Sequence, residues 1–160
     1  MKSVELKPIG KSVMVKTNDR VLDALLAKEL KVPMACGGKG LCATCHVWIG
    51  AGMDKLTPMT AREKRTIGLV SGADERSRLT CQARILGDGV EVILPDGVFV
   101  QATADLESLI GQRASTNILH PVDMRVLIAE GKIITRSRIM ELKQLDVDMD
   151  KLRKDAAAAD

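Results

Sequence analysis

Apolar and polar residues alternate in two short stretches near the start of the chain, SVELKP over 3–8 and KSVMVK over 11–16. Alternation with a period of two predicts half-buried β-strands, and Ile9-Gly10 between them predicts a hairpin turn. In the next stretch, DRVLDALLAKEL over 19–30, the apolar residues recur at helical spacing. This period predicts a helix with one buried face, which begins at an N-cap on Asn18 or Asp19.

The pattern after the cysteine-rich stretch 31–45 changes back to short strands. Thr60-Ala-Arg-Glu63 has the form of a capping box, which predicts the start of a helix. The further elements predicted before residue 97 are a strand over 46–49, a helix over 61–70, a strand over 77–86 that carries Cys81, and a strand over 90–95. The first 97 residues therefore predict a small α+β unit in the order ββα, cysteine loop, β–α–ββ.

Residues 101–160 are predicted to form a C-terminal extension that follows a first domain over 1–100. Its predicted elements are a short helix over 103–111, a hairpin over 122–134 with a turn at Glu130-Gly131, a helix over 135–145 capped by Thr135 or Ser137, and a frayed or disordered tail over 148–160. A hairpin and a helix bury fewer apolar residues than this segment contains. The extension is therefore expected to pack on the first domain, on a second copy of the chain or on a partner, with homodimerisation or partner docking favoured.

Composition excludes several classes of function. The chain has 160 residues, a net charge of +3, one Trp, one Phe and no Tyr. Binding of nucleic acid is not expected, because it needs a concentrated basic field or aromatic stacking platforms. The sequence has no long apolar run that predicts a membrane span, and its first residues, MKSVELKPIGKSV, do not resemble a signal peptide. The expected location is cytoplasmic, where disulfides rarely persist.

Cys36, Cys42 and Cys45 lie in the stretch CGGKGLCATCH over 36–46, and Cys81 is the fourth cysteine. A disulfide framework is disfavoured because the chain is large and lacks an export signal. A zinc site usually presents two short Cys-x2-Cys knuckles, and only one is present here. A redox dithiol formed by Cys42 and Cys45 would leave the glycines and the remaining two cysteines without a role.

A [2Fe–2S] cluster accounts for more of these residues than a disulfide, a zinc ion or a dithiol does. It takes four thiolates, two for each iron, and needs a loop whose backbone approaches the sulfurs closely. Glycines at 37, 38 and 40 suit such a loop, because glycine adopts positive φ and lacks a Cβ. Thr44 could add a hydroxyl donor to a sulfur or could satisfy its own backbone.

Residues 1–97 resemble the adrenodoxin and putidaredoxin group of [2Fe–2S] ferredoxins. The matching segments are Ala35-Cys36-Gly37-Gly38, Gly40-x-Cys42-Ala43-Thr44-Cys45-His46 with any residue at x, Leu56-Thr57-Pro58, Arg78-Leu79-Thr80-Cys81-Gln82 and Val92-Ile93-Leu94-Pro95. The five residues between the first two cysteines match this group, whereas plant-type ferredoxins have four. The resemblance implies a β-grasp fold, one-electron transfer, and Cys36, Cys42, Cys45 and Cys81 as ligands of the cluster.

Two further roles follow from the resemblance. His46 matches a histidine that braces the cluster loop by hydrogen bonds, and His120, outside the matching segments, is expected to be an ordinary loop residue. The resemblance also implies a reductase and an electron acceptor as partners. In this family the helix after the cluster loop carries acids that dock basic partners, but here the stretch 61–78 is rich in arginine and lysine. A basic reductase or a cytochrome P450 is therefore in doubt, and a partner that is acidic or neutral there is expected.

The sequence therefore predicts a one-electron carrier that works between a reductase and an acceptor enzyme or redox complex. It is not expected to be an enzyme, because no nucleophile–base pair and no open metal position is apparent. The second hypothesis is a redox or iron sensor, or a structural component of a redox assembly, read out through the extension. A zinc-stabilised binding module is a third hypothesis.

Overall fold

The computed structural model describes residues 1–159, in which two β-sheets and five α-helices are present. The first part of the chain contains β1 (Lys2–Lys7), β2 (Lys11–Val15), α1 (Val21–Ala27), β3 (His46–Ala51), α2 (Ala61–Ile67), β4 (Ser77–Leu79) and β5 (Val90–Ile93). These strands form one five-stranded sheet in the order β2-β1-β5-β3-β4. The α+β class predicted from the sequence is confirmed.

The central pair of this sheet is β1 and β5, which run parallel, while the other neighbouring strands are antiparallel. Val4 lies opposite Val90 and Leu6 opposite Val92, and all four side chains are buried. The alternation along β1 places these residues on one face, where α1 covers them. A mixed sheet with a parallel central pair and one helix packed across it is the β-grasp arrangement that the resemblance implies.

The helix starts were predicted in part. The Oγ1 atom of Thr60 accepts a hydrogen bond from the N–H of Glu63 at 3.2 Å, so the predicted cap of α2 is confirmed. The predicted cap of α1 at Asn18 or Asp19 is wrong, because Arg20 occupies the N-cap position. The Asp23 carboxylate accepts from the Arg20 N–H at 2.9 Å, which satisfies the chain there without a cap on 18 or 19.

The predicted strand over 77–86 is too long. Only β4, Ser77–Leu79, pairs with β3, and the chain then turns, with the N–H groups of Gln82 and Ala83 both donating to the carbonyl of Leu79. This turn takes Cys81 out of the sheet and directs it toward the cysteine loop. The apolar period of the segment did not reveal the turn, because the buried residues on both sides of it are also apolar.

The second sheet belongs to the C-terminal part of the chain. This part contains β6 (Val98–Phe99), α3 (Ala104–Glu107), β7 (Ile118–Leu119), β8 (Val126–Ile128), α4 (Arg136–Glu141) and α5 (Gln144–Ala158). The strand β7 is central, parallel to β6 and antiparallel to β8. The pairing of β6 joins residues 98–99 to this second sheet, immediately before the predicted boundary at residue 100.

Two predictions for the extension are corrected. The predicted hairpin over 122–134 does not form, since β8 pairs with β7 and Ile134 instead exchanges hydrogen bonds with residues 111–112. Within the predicted frayed or disordered tail over 148–160, residues 148–158 instead belong to α5, and Asp160 lies outside the described residues. Leu145, Met149 and Leu152 of this helix are buried. Their spacing of three and four residues places them on one helix face, which packs against the rest of the extension.

The extension buries its apolar residues against the cysteine loop of the same chain. One apolar core contains Cys36 and Cys42 together with buried residues from β7, β8, α4 and α5. This intramolecular packing covers most of the apolar residues for which self-association or partner docking was favoured. None of the helices within residues 1–159 is both long and apolar enough to cross a membrane.

Candidate cluster site in the cysteine loop

The four cysteines form two close pairs. The Sγ atoms of Cys36 and Cys42 are 3.4 Å apart, and those of Cys45 and Cys81 are also 3.4 Å apart. A disulfide would need about 2.05 Å, and all four cysteines are free thiols. In a tetrahedral thiolate site with metal–sulfur bonds of about 2.3 Å, two sulfurs lie about 3.8 Å apart. Each pair is therefore close to the spacing of two thiolates on one metal ion.

The grouping in pairs distinguishes a zinc ion from a cluster. A structural zinc site brings four ligands to one ion. Within residues 1–159, no group of three or more His, Cys, Asp or Glu side chains has the geometry to hold one metal ion. Two pairs of thiolates, each serving its own iron, are what a [2Fe–2S] cluster takes. The donor geometry thus fits the cluster better than it fits a single zinc ion.

The loop that carries three of these cysteines is shaped by glycine. Gly38 and Gly40 adopt φ values of +80° and +75°, and the backbone N–H of Gly38 bonds to the Cys36 sulfur and that of Gly40 to the Cys81 sulfur. A Cβ on Gly40 would lie 3.0 Å from the side chain of Gln82. Gln82 needs this space because its Nε2 donates to the Gly38 carbonyl at 3.2 Å and to the Cys81 sulfur at 3.4 Å.

Hydrogen-bond donors surround the sulfurs. The Oγ1 atom of Thr44 lies 3.0 Å from the Sγ of Cys42, and the N–H of Ala35 donates to the same oxygen at 3.4 Å. The hydroxyl proton can be donated to the sulfur while the oxygen accepts from Ala35, which is compatible with the role of a sulfur donor. The backbone group that Thr44 satisfies is that of Ala35 and not its own.

The thiols differ in acidity. The hydrogen bond donated by the Cys42 thiol, reinforced by backbone N–H groups of residues 38, 39 and 41, lowers the pKa of Cys36 to about 5, against the effect of burial. The bond from Cys45 and a weaker one from Gln82 lower the pKa of Cys81 to about 7. One thiol in each pair is therefore stabilised as the thiolate, which is the form that binds metals.

The donor thiols shift in the opposite direction. The hydrogen bond to Cys36 raises the pKa of Cys42, and the bond to Cys81 raises the pKa of Cys45, with burial adding to both shifts. Metal binding would have to displace these two protons.

His46 is the first residue of β3, directly after Cys45. Its side chain is buried, and its Nε2 lies 2.8 Å from the Oγ of Ser77 on the neighbouring strand β4. Its ring meets that of Trp48 edge to face, with 4.7 Å between the centroids. Burial lowers the pKa of His46 to about 4, so the ring is neutral at pH 7. The bond to Ser77 joins β3 to β4 at the end of the cysteine loop, whereas the resemblance implies a bond between that loop and the rest of the domain.

His120 was expected to be an ordinary loop residue, but the structure shows it buried, with hydrogen bonds at both ring nitrogens. Its Nδ1 accepts a hydrogen bond from the Val122 N–H at 3.1 Å, and its Nε2 lies 3.1 Å from the Asp148 carboxylate on α5. The carbonyl of the following residue, Pro121, accepts a 2.9 Å hydrogen bond from the backbone N–H of Ala43. His120 thus fixes the turn that contacts the cysteine loop, and no local sequence pattern indicates this role.

The basic stretch after the loop has both a buried and an exposed part. Arg78 is buried and forms an ion pair with Glu63, with 2.8 Å between Nε and Oε1. The expectation that Arg78 adds to an exposed basic face is wrong, because its charge is neutralised inside the protein. Arg62, Lys64 and Arg65 remain accessible on α2, whose only acid is the buried Glu63.

The two pairs of cysteines are covered from different sides. Cys45 and Cys81 pack with Leu22 and Leu79 of the first part of the chain. Cys36 and Cys42 pack with the core of the extension. The site is therefore enclosed by apolar groups contributed by both parts of the chain, and exposed backbone remains at Gly37.

Comparisons with known proteins agree with this site. The family model of the 2Fe-2S iron-sulfur cluster binding domain matches residues 4–86. The 2Fe-2S ferredoxin of Escherichia coli K12 is 30% identical over 91 residues, which cover 57% of this chain and 82% of that protein.

Two solved structures are similar to the first part of the chain. The ISC-like [2Fe-2S] ferredoxin of Pseudomonas putida has a TM-score of 0.56 and 27% identity, and the match covers 59% of this chain and 93% of that one. The covalent complex of putidaredoxin reductase with putidaredoxin contains a chain with a TM-score of 0.50 and 26% identity, matched over 59% of this chain and 98% of that one.

The family model ends at residue 86, before the extension, and the matches cover 82% to 98% of the ferredoxin chains concerned. The two pairs of thiols, the glycine-rich loop and the apolar walls fit the [2Fe–2S] cluster for which these relatives are named. This chain belongs to the [2Fe–2S] ferredoxins of the adrenodoxin and putidaredoxin type, and its cofactor is a [2Fe–2S] cluster.

Proposed function

We propose that this protein is a one-electron carrier in which Cys36, Cys42, Cys45 and Cys81 hold a single [2Fe–2S] cluster. The observation that carries the proposal is the division of four buried thiols into two pairs, each with 3.4 Å between its sulfurs. When bound, the cluster supplies reversible one-electron chemistry. The protein itself is proposed to catalyse no reaction.

The residues around the cysteines would hold the added charge. Thr44 and Gln82 place donors at 3.0 and 3.4 Å from the sulfurs of Cys42 and Cys81. Donors of this kind favour the reduced state, whereas the apolar cover from both parts of the chain opposes added negative charge. The potential would follow from the balance of these two effects.

We propose a reductase and an acceptor enzyme or redox complex as partners. The similarity to putidaredoxin in its covalent complex with a reductase supports a reductase as one of them. The cytoplasm is the proposed location, because disulfides rarely persist in that reducing compartment and the four proposed ligands must stay reduced to hold the cluster.

The first test is an anaerobic absorption spectrum of the purified protein, together with an EPR spectrum after reduction with dithionite. A red-brown protein that bleaches on reduction and gives a rhombic S = 1/2 signal is expected. A colourless protein that contains bound zinc would overturn the proposal.

A redox or iron sensor is a second candidate, and one observation favours it. Cys36 and Cys42 share an apolar core with the extension, so loss of the cluster would disturb that core directly. Hydrogen exchange of residues 101–159 should then increase when the cluster is removed and change on reduction. A carrier should show the increase on removal but little change on reduction.

We also propose homodimerisation through the extension. Val126, Ile133 and Met140 are exposed at 51%, 48% and 61%, whereas their apolar neighbours Ile128, Ile134 and Ile139 are buried within the chain. Light scattering on the cluster-loaded protein would test it. A monomer at all concentrations would exclude the dimer.

A further inference from the structure

A groove of about 600 Å³ runs between α2 and α5, beside the cysteine loop. Arg62, Arg65 and the residues that follow them form one wall. Lys151 and Leu152 on the extension form part of the other wall. Because the second wall comes from the extension, the groove combines the two parts of the chain, and this wall lies beyond residues 4–86, which the ferredoxin family model matches.

Residues that line the groove form hydrogen bonds with the backbone of the cysteine loop. Leu41, which precedes Cys42, lines the groove. The Oγ1 atom of Thr66 donates to the Gly40 carbonyl, and the Nη1 atom of Arg62 donates to the Lys39 carbonyl at 3.2 Å. A molecule seated in the groove would be separated from Cys42 by little more than one residue of the loop.

The cations that line the groove are not neutralised by acids. Within residues 1–159, no carboxylate lies within ion-pair distance of Arg65 or Lys151, and the side chain of Arg62 bonds only to backbone carbonyls. On the opposite side, Asp123 pairs with Arg125 at 3.3 Å, and Asp148 lies 4.0 Å from the same guanidinium and 3.1 Å from His120 Nε2.

Counted with Arg125, the charged groups at the groove within residues 1–159 are four cations and three carboxylates, a balance of +1. Asp155 is the third carboxylate among the lining residues and has no ion pair within residues 1–159. The cations without an acid at ion-pair distance in this part of the chain are Arg62, Arg65 and Lys151, whereas two of the three acids share Arg125. A docked surface of opposite charge would be attracted over a distance of about one Debye length, which is roughly 8–10 Å in physiological salt.

The groove also offers apolar contact. Leu69 is a 72% exposed lining residue, and Leu41, Val122 and Leu152 add further apolar side chains to the lining. Interfaces between proteins combine an apolar centre with a charged rim. This combination fits a folded protein surface or peptide segment better than it fits a small ion.

We infer that the groove between α2 and α5 docks an acidic surface of a redox partner, with an apolar side chain of that partner seated against Leu41. The inference rests on the proposed electron-carrier function and identifies the chemistry of the partner. Docking here brings the partner to the loop between Cys36 and Cys42, so binding and electron transfer share one site. The extension thereby selects partners that recognise both walls.

The test uses the full-length, cluster-loaded protein, reduced with dithionite and mixed in a stopped-flow instrument with a one-electron acceptor. One acceptor is a small acidic blue-copper protein, whose Cu(II) takes one electron and becomes Cu(I). The other is cytochrome c, a basic haem protein. The groove variant is Arg65→Glu/Lys151→Glu, in which the charges of two lining residues are reversed.

The control is Lys64→Glu/Lys154→Glu, which changes the net charge equally on the same two helices but outside the groove. With the acidic acceptor, the groove variant is expected to react about tenfold more slowly at low salt and the control less than threefold more slowly. With cytochrome c, the groove variant should react no more slowly than wild type. Equal losses in the two variants would overturn the inference.

Other occupants give different results. A wild-type dimer that the groove variant abolishes would assign the groove to a second copy of the chain and overturn the inference. Competition by a short DNA duplex in the acidic-acceptor assay is not expected to exceed the effect of salt at the same ionic strength. A stronger effect would assign the groove to a polyphosphate ligand and overturn the inference.

Folding and the proposed function are checked separately. The absorption and EPR spectra of both variants should match those of wild type. If the groove variant loses its cluster, Arg65→Gln/Lys151→Gln replaces it in the kinetic test. A wild-type protein without a reducible cluster would refute the electron-carrier proposal itself. A normal cluster with rates that do not depend on the groove would refute only the docking site.

Discussion

The backbone N–H of Ala43 donates a 2.9 Å hydrogen bond to the carbonyl oxygen of Pro121. Ala43 lies between Cys42 and Cys45, whereas Pro121 belongs to the extension. The bond therefore links the site of the cluster to the part of the chain that its ferredoxin relatives do not match. The extension thus forms part of the wall around the cysteines.

Removal of the extension should expose the site without unfolding the first sheet. The core of that sheet lies within residues 4–94, so a chain that ends at Asp96 is expected to fold. Greater exposure of the negatively charged cluster to water should raise its reduction potential. A tenfold change in the equilibrium constant of a one-electron couple corresponds to about 60 mV, and a shift of this order is expected. Voltammetry checks this, with a chain that ends at Ala157 as the control. An unchanged potential would mean that the extension does not shield the cluster.

Replacement of Cys42 by serine should abolish the normal cluster. The variant loses one thiolate of the pair with Cys36, and cluster binding also contributes to folding. Iron analysis is expected to fall from about two irons per chain to near zero. Thr44→Ser, which keeps the neighbouring hydroxyl, should retain both irons. A Cys42→Ser variant with an unchanged spectrum would contradict the proposed ligand set.

Thr44→Val should lower the potential. The Thr44 hydroxyl lies 3.0 Å from the Cys42 sulfur, and loss of this donor disfavours the reduced state. A net hydrogen-bond contribution of about 0.5–1.5 kcal/mol corresponds to roughly 20–60 mV for one electron. Thr57→Val is the matched control, because Thr57 accepts a bond from the Arg84 N–H and no contact joins it to the cysteines. Equal potentials for the two variants would exclude the Thr44 donor.

Glu63→Gln should destabilise the protein strongly. Glu63 accepts hydrogen bonds from Arg78 at 2.8 Å and from the Leu79 N–H at 2.9 Å, and its side chain is 1% exposed. Loss of the charge leaves the Arg78 guanidinium buried without a counter-ion, which typically costs about 3–5 kcal/mol. Urea unfolding measures the loss. The double variant Glu63→Leu/Arg78→Met should recover part of it, and no recovery would contradict this explanation.

Met149→Ala should show that α5 is a packed helix. Met149 is 1% exposed in the core of the extension, whereas Val147 on the same helix is 59% exposed. Removal of a buried Met side chain costs about 2–5 kcal/mol, so the variant should unfold at a lower urea concentration. Val147→Ala should change the midpoint little. Similar midpoints for the two variants would indicate that the end of the chain is frayed after all.

The candidate site was predicted from short-range features. The spacing of Cys36, Cys42 and Cys45 and the glycines between them lie within eleven residues, and His46 follows directly. Such a loop is recognisable because its chemistry depends on local backbone conformation. His120 was missed, because its role depends on Asp148 in a distant helix and on a turn that has no sequence signal of its own.

The sequence by itself determined the order of elements in the first domain, the cap of α2 and the chemistry of the cysteine loop. Apolar–polar alternation, helix caps and glycine positions act over a few residues, so they can be recognised in the sequence. Tertiary structure decided the rest. It turned residues 80–84 out of a predicted strand, paired β8 with β7, and placed α5 against the loop that holds the cysteines. These outcomes depend on which apolar surfaces meet, and a linear pattern of apolar residues does not specify its partner surface.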